Sequence, residues 1–128
     1  MKKVIVDTNI LLRFLVKDKS LLQVEAVKIL TRAETGKYVI LLNELIIAEC
    51  IWVMISHYHL DKKLVIEQVK SLIIKDEFEV RDKDIISHAL DTFSKTNLSW
   101  VDCYLLNQSK ILGMKLVTFD DKLARLCK

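Results

Sequence analysis

The stretch VIVDTNILLRFL, residues 4–15, predicts the first strand and the first helix and contains a single acid between them. VIV (4–6) is a β-branched run typical of a strand, and Asn9 to Val16 has the pattern of a short helix. One acid, Asp7, stands between these two apolar segments. An aspartate at that place can cap the helix that follows it, so its position alone does not define a role.

Strands and helices alternate along the rest of the chain. Further strands are predicted at YVILL (38–42), FEV (78–80) and KLVTF (115–119). Helices are predicted to start at Ser20, Asn43, Asp61, Asp82 or Lys83, Ser99 and Asp120, and two of them to end at Gly36 and Gly113. The clearest strands are continuous apolar runs, which is typical of a parallel sheet covered by helices on both faces. We therefore predict an α/β fold with the functional site at the carboxyl ends of the strands.

Size and composition indicate one globular domain, residues 1–128. The chain is 52% hydrophobic and 29% charged, which excludes a disordered protein. Its net charge of +3 suits an anionic partner such as RNA, as it suits many ordinary domains. With two glycines and no proline, a glycine-rich phosphate-binding loop is excluded.

Membrane insertion and secretion are not expected. The apolar run at 38–55 contains Glu44 and Glu49, and each charge would cost about 2.5–3.5 kcal/mol at the centre of a bilayer. Polar residues interrupt the apolar N-terminus, and no small-residue cleavage site follows it. Three widely spaced cysteines argue against a disulfide framework. We therefore expect a soluble protein of the reducing cytoplasm.

Four acids form the candidate site: Asp7, Glu49, Asp102 and Asp120. Each has a simpler explanation when taken separately. Asp7 and Asp120 can cap helices, Asp102 can be a first-turn acid favoured by the helix dipole, and Glu49 can be a core-edge glutamate paired with a lysine. Those explanations do not account for all four acids falling at strand ends or in the helices that follow strands.

Clustered carboxylates repel one another, and a hard divalent cation removes that conflict. Mg²⁺ or Mn²⁺ takes oxygen ligands and retains waters, so one or two direct carboxylates are enough to hold it. Such a cation activates water for attack on a phosphodiester. The four acids therefore point to hydrolysis of a phosphodiester bond.

The segments VDTNILLRFL, IAECIWVM, SWVDCYLL and LVTFDDKL, in this order, resemble the four motifs of the PIN-domain ribonucleases, and the compact size resembles their VapC-type toxins. The resemblance covers essentially the whole chain. It implies an α/β/α sandwich around a mainly parallel sheet of four to five strands. It also implies an Mg²⁺- or Mn²⁺-dependent endoribonuclease acting on RNA, which in this subgroup is typically a homodimer silenced by a small cognate antitoxin.

The resemblance also assigns individual positions. It makes Asp7, Glu49, Asp102 and Asp120 the acidic catalytic and metal-site residues, with Thr8, Asn9 and Thr118 in supporting positions. Asp121 is the alternative to Asp120. Glu44 lies closer to its strand end than Glu49, but a first-turn position explains it through the helix dipole.

Several alternatives stay open at this stage. Trp100 is either a packing residue or a base-stacking platform, and packing is favoured. Two sets of basic residues either contact RNA phosphates or lie on solvated helix ends: Arg13, Lys17 and Lys19; and Lys110, Lys115, Lys122 and Arg125. The main rival function is a non-catalytic PIN-like module that binds RNA or a protein; loss of acids would mark it, and all four are present.

Overall fold

The computed structural model describes residues 2–16 and 21–127. The predicted helix cap Ser20 and the basic residues Lys17 and Lys19 lie outside the described residues. The chain forms two compact units, Met1–Arg81 and Asp82–Lys128.

The first unit alternates strands and helices as predicted. Its elements are β1 (Lys3–Ile5), α1 (Thr8–Leu15), α2 (Leu21–Glu34), β2 (Val39–Leu42), α3 (Glu44–Ser56), α4 (Lys62–Ile73) and β3 (Phe78–Val80). The sheet of the described residues has three parallel strands in the order β1-β2-β3. In its register Ile5 lies beside Leu41, and Leu41 lies beside Glu79. The prediction of an α/β protein with a parallel sheet is confirmed.

The apolar flanks of Asp7 belong to the core of this unit. Val6 is buried before it, and Leu11, Leu12 and Leu15 are buried after it on one side of α1. Helix α1 packs against α2 and α3. These contacts hold α1, which begins directly after Asp7, in place within the first unit.

The second unit is helical in its described residues. It contains α5 (Lys83–Lys95), α6 (Trp100–Leu112) and α7 (Asp121–Leu126). Helices α5 and α6 pack closely, and the rings of Phe93 and Trp100 meet edge to face with centroids 5.7 Å apart. Gly113 ends α6 with φ of +66°, a left-handed conformation that glycine adopts without steric cost.

The predicted fourth strand, residues 115–119, is wrong: this segment is irregular. A strand requires a neighbour for its ladder of backbone hydrogen bonds, and the described residues of this unit contain no strand that could supply one. Val117 is 84% exposed and the Phe119 side chain is fully exposed. The described residues thus form three strands, where four to five were predicted.

No helix among the described residues is both long and apolar enough to cross a membrane. The long apolar run at 38–55 is divided between β2 and α3, with Asn43 between them. Part of this run is buried in the core of the first unit, whereas Leu45 and Trp52 are exposed.

Candidate metal centre

Asp7 is both a helix cap and an exposed acid. Its Oδ1 accepts a hydrogen bond of 3.1 Å from the backbone N–H of Ile10, which caps α1. This bond uses one carboxylate oxygen and leaves Oδ2 for another partner. Capping and metal ligation can therefore share the two oxygens of one side chain. Thr8, the first residue of α1, is buried directly behind it.

The beginning of α3 lies at the same sheet edge as Asp7. Because Ile5 pairs with Leu41 in parallel register, Asp7 and Asn43 each stand two residues beyond paired positions of neighbouring strands. Asn43 caps α3 as predicted, since its Oδ1 accepts a bond of 3.0 Å from the N–H of Ile46. Two capped helices thus begin at the carboxyl edge of this sheet.

The first-turn position of Glu44 does not account for its whole carboxylate. One of its carboxylate oxygens, Oε2, is buried and has no hydrogen-bond partner among the described residues. A helix dipole acts on a first-turn acid in solvent, but it does not satisfy a buried oxygen that lacks a donor. A cation or an ordered water at the carboxyl edge of β2 would satisfy it.

Glu49 lies on α3 in a different environment from the one its neighbours in sequence suggested. The residue is exposed, which does not fit the simpler explanation of a core-edge glutamate. Its helical neighbours Leu45 and Trp52 are themselves exposed, to 70% and 66%. The carboxylate therefore stays hydrated and available to a ligand, flanked by two unburied apolar side chains.

Glu49 and Asn9 line the same groove in the first unit. The groove has a volume of about 450 Å³ and lies between α1 and the second half of α3. Arg13, Trp52 and His57 are also in its lining. The structure thus brings together two of the residues that the sequence nominated, one supporting and one acidic.

The second unit carries the other two nominated acids. Asp102 is half-buried in the first turn of α6, where its N–H donates to the Ser99 hydroxyl at 3.1 Å. Asp120 is exposed and caps α7, because its Oδ1 accepts a bond of 2.9 Å from the N–H of Leu123. Thr118 lies beside it and accepts the Asp120 N–H through its hydroxyl at 3.0 Å.

Asp121 differs from Asp120 in its local role. It is the first residue of α7 and an exposed first-turn acid, whereas Asp120 is held by bonds on both its backbone and its side chain. The more fixed of the two carboxylates is therefore Asp120, the residue that the sequence motif selects.

The structure also gives the exposure of Trp100 and of the basic residues that the sequence singled out. Trp100 is 7% exposed and packs against Phe93, so the packing role favoured for it is confirmed. Arg13 lines the groove described above. Four basic residues of the second unit are exposed, which is compatible both with contact to RNA phosphates and with solvated helix ends: Lys110, Lys115, Lys122 and Arg125.

Cys50 is not a nucleophile at neutral pH. Burial, together with the neighbouring Glu49 carboxylate, raises the pKa of its thiol from 9.0 to about 12. The thiolate is the reactive form, so a thiol that remains protonated at neutral pH does not attack.

Carboxylate oxygens are the type of ligand that a hard divalent cation takes. In the part of the chain that the structure describes, no three His, Cys, Asp or Glu side chains are grouped to hold a metal ion. Mg²⁺ and Mn²⁺ do not need such a group, since they retain waters and take one or two direct carboxylates. The orphaned Oε2 of Glu44 and the hydrated carboxylates of Asp7 and Glu49 provide that kind of oxygen donor.

A family model described as PIN domain matches residues 4–128. Because the match spans almost the whole chain, this protein belongs to the PIN-domain family. PIN domains are generally nucleases, which supports a nuclease-like fold for the chain. No curated protein and no solved structure matches it significantly.

Proposed function

We propose that this protein is an endoribonuclease that requires Mg²⁺ or Mn²⁺ and hydrolyses phosphodiester bonds of RNA. The observation that carries the proposal is the PIN-domain match over residues 4–128, which includes all four nominated acids. Asp7, Glu49, Asp102 and Asp120 are the proposed metal-site residues. The two compact units then belong to one domain.

The proposed roles follow from how each side chain is held. When bound, the cation would activate water and offset the negative charge of the phosphate. Asp7 keeps a fixed orientation through its cap on α1 and offers its second oxygen. Asn9, exposed in the groove with Glu49, can orient substrate with its amide. Thr118 fixes the backbone of Asp120.

The direct test is cleavage of a closed circular single-stranded RNA by the purified protein. A circle has no ends, so only an endonuclease can linearise it. We expect linear product with Mn²⁺, none after chelation with EDTA, and recovery when Mn²⁺ is returned. Binding of the circle without any cleavage in Mn²⁺ or Mg²⁺ would instead identify the non-catalytic RNA-binding module.

We further propose a biological setting of the VapC type, because the chain belongs to the PIN-domain family and its compact size resembles that subgroup. The protein would act in the cytoplasm as a toxin, as a homodimer, with a small antitoxin as its partner. Induced expression should arrest growth, and expression of Glu49→Gln at the same level should not. Arrest by both proteins, or by neither, would contradict the toxin role and leave the nuclease proposal to the circular-RNA assay.

A further inference from the structure

Trp52 is a large, exposed aromatic side chain close to the nominated acid Glu49. The residue is 66% exposed, although its large apolar surface would ordinarily be covered. It lies three residues after Glu49 on α3, so one helical turn separates the indole from the carboxylate. An exposed indole next to the Glu49 carboxylate is suited to a ligand with a flat apolar face.

The groove beside Trp52 has the chemistry of a mixed site rather than of an apolar interface. Arg13 contributes a cation, Asn9 an amide and Glu49 a carboxylate. At the far end of α3, the rings of His57 and Tyr58 meet edge to face at 5.1 Å. Aromatic rings interleaved with cationic and amide groups are typical of surfaces that bind single-stranded nucleic acid.

The groove also has the right size and lies within one unit. Its volume of about 450 Å³ falls in the range of pockets that hold small organic ligands, about 300–1,000 Å³. All of its lining residues lie between Asn9 and Tyr58, so the first unit alone builds it.

We infer that this groove is a nucleobase subsite, in which one unpaired base of single-stranded RNA stacks on Trp52 next to the phosphate to be cleaved. The inference rests on the proposed function for the identity of the strand. Arg13 supplies positive charge for the adjoining phosphate. Glu49, in the same groove, places the hydrolytic site beside the bound base.

The subsite predicts which RNA is accepted. Bases in a duplex are stacked on their neighbours and cannot lie on the indole, whereas loops and single strands present unstacked bases. Stacking on one ring is tolerant of sequence, because every base has a π-face. The groove therefore selects single-stranded structure more than a particular base.

Tryptophan fluorescence provides the test, because the chain has two tryptophans and Trp100 is buried. The wild-type protein is titrated in EDTA with a short single-stranded RNA, so that binding is measured without cleavage. We expect quenching that saturates with RNA, weaker quenching by the same sequence in a duplex, and none in Trp52→Phe, where only Trp100 reports.

Affinity is measured in parallel by anisotropy of a labelled RNA. Trp52→Ala should bind about tenfold or more weakly, whereas Trp52→Phe, which keeps a ring, should lie within a few-fold of wild type. Ile74→Ala is the matched control, because Ile74 is 69% exposed and is not in the groove lining. Its affinity should equal that of wild type.

Two results would overturn the inference. One is unchanged RNA affinity in Trp52→Ala; the other is protection of Trp52 from acrylamide as protein concentration rises without RNA, which would mean that a second copy covers it. Cleavage of circular RNA is a separate readout. If the protein cleaves the circle but Trp52→Ala binds RNA as tightly as wild type, the subsite is contradicted and the proposed nuclease activity stands. If RNA quenches Trp52 but no cleavage occurs, the nuclease activity is contradicted and the subsite stands.

Discussion

Asp7→Asn is expected to remove RNA cleavage while leaving the fold intact. Asparagine caps a helix about as well as aspartate, so its amide oxygen can still accept the N–H of Ile10. A neutral amide is a poorer ligand than a carboxylate for a hard cation. The rate in Mn²⁺ should fall by about 100-fold or more, equivalent to about 2.7 kcal/mol in the activation barrier.

Asp61→Asn is the matched control for this experiment. Asp61 is also the N-cap residue of a helix, α4, but its side chain makes no capping hydrogen bond. The control should cleave like wild type, and both variants should unfold at the wild-type denaturant midpoint. Full activity of Asp7→Asn, measured as initial rate on the circular RNA, would remove Asp7 from the site.

Leu11→Ala is expected to have the largest effect on stability. Leu11 is fully buried on α1 four residues after Asp7, and removing its side chain leaves a cavity that the surroundings fill only in part. The free energy of unfolding should fall by about 2–5 kcal/mol, measured by urea denaturation. The same core supports the helix start at Asp7, so activity at a given temperature should fall with it.

Leu45→Ala makes the same chemical change on an exposed side chain. Leu45 is 70% exposed on α3, so its loss should change stability by no more than about 0.5 kcal/mol. Similar losses in the two variants would contradict the burial that the structure assigns to α1.

Local signals predicted most of the elements. Asn43 and Ser99 are small polar residues placed directly before apolar helices, and both cap those helices through their side chains. The periodic stripe of α5 is buried as its spacing predicts, at Ile85, Ile86, Ala89, Leu90 and Phe93. Asp61 shows the limit of this reasoning: it begins α4 as predicted, yet its side chain makes no cap bond.

The prediction of a last strand at 115–119 was wrong because the sequence of a segment does not show whether a neighbouring strand is present. The run 115–119 has the composition of a buried strand, but a strand is completed by a partner some distance away in the chain. Composition describes the segment's preference and not the availability of a neighbour.

For the candidate site, too, some features followed from the sequence and others did not. The sequence placed Asp7 and Asp120 at strand ends and gave helix capping as the simpler explanation of each. Both cap helices, but no strand precedes Asp120 because the segment 115–119 is irregular. Glu49 has apolar neighbours in sequence and is nevertheless exposed, because Leu45 and Trp52 beside it on α3 are exposed as well. The exposure of Trp52 could not be inferred, since the sequence alone does not distinguish an exposed indole from a buried one.

Calorimetric titration of Mn²⁺ into the purified protein tests whether Asp7 and Glu49 take part in holding a divalent cation. We predict a saturable binding isotherm for wild type and for Asp61→Asn, and loss of that isotherm in Asp7→Asn and Glu49→Gln. Saturable binding that persists unchanged in both acid variants, or its absence from the wild-type protein, would contradict the account.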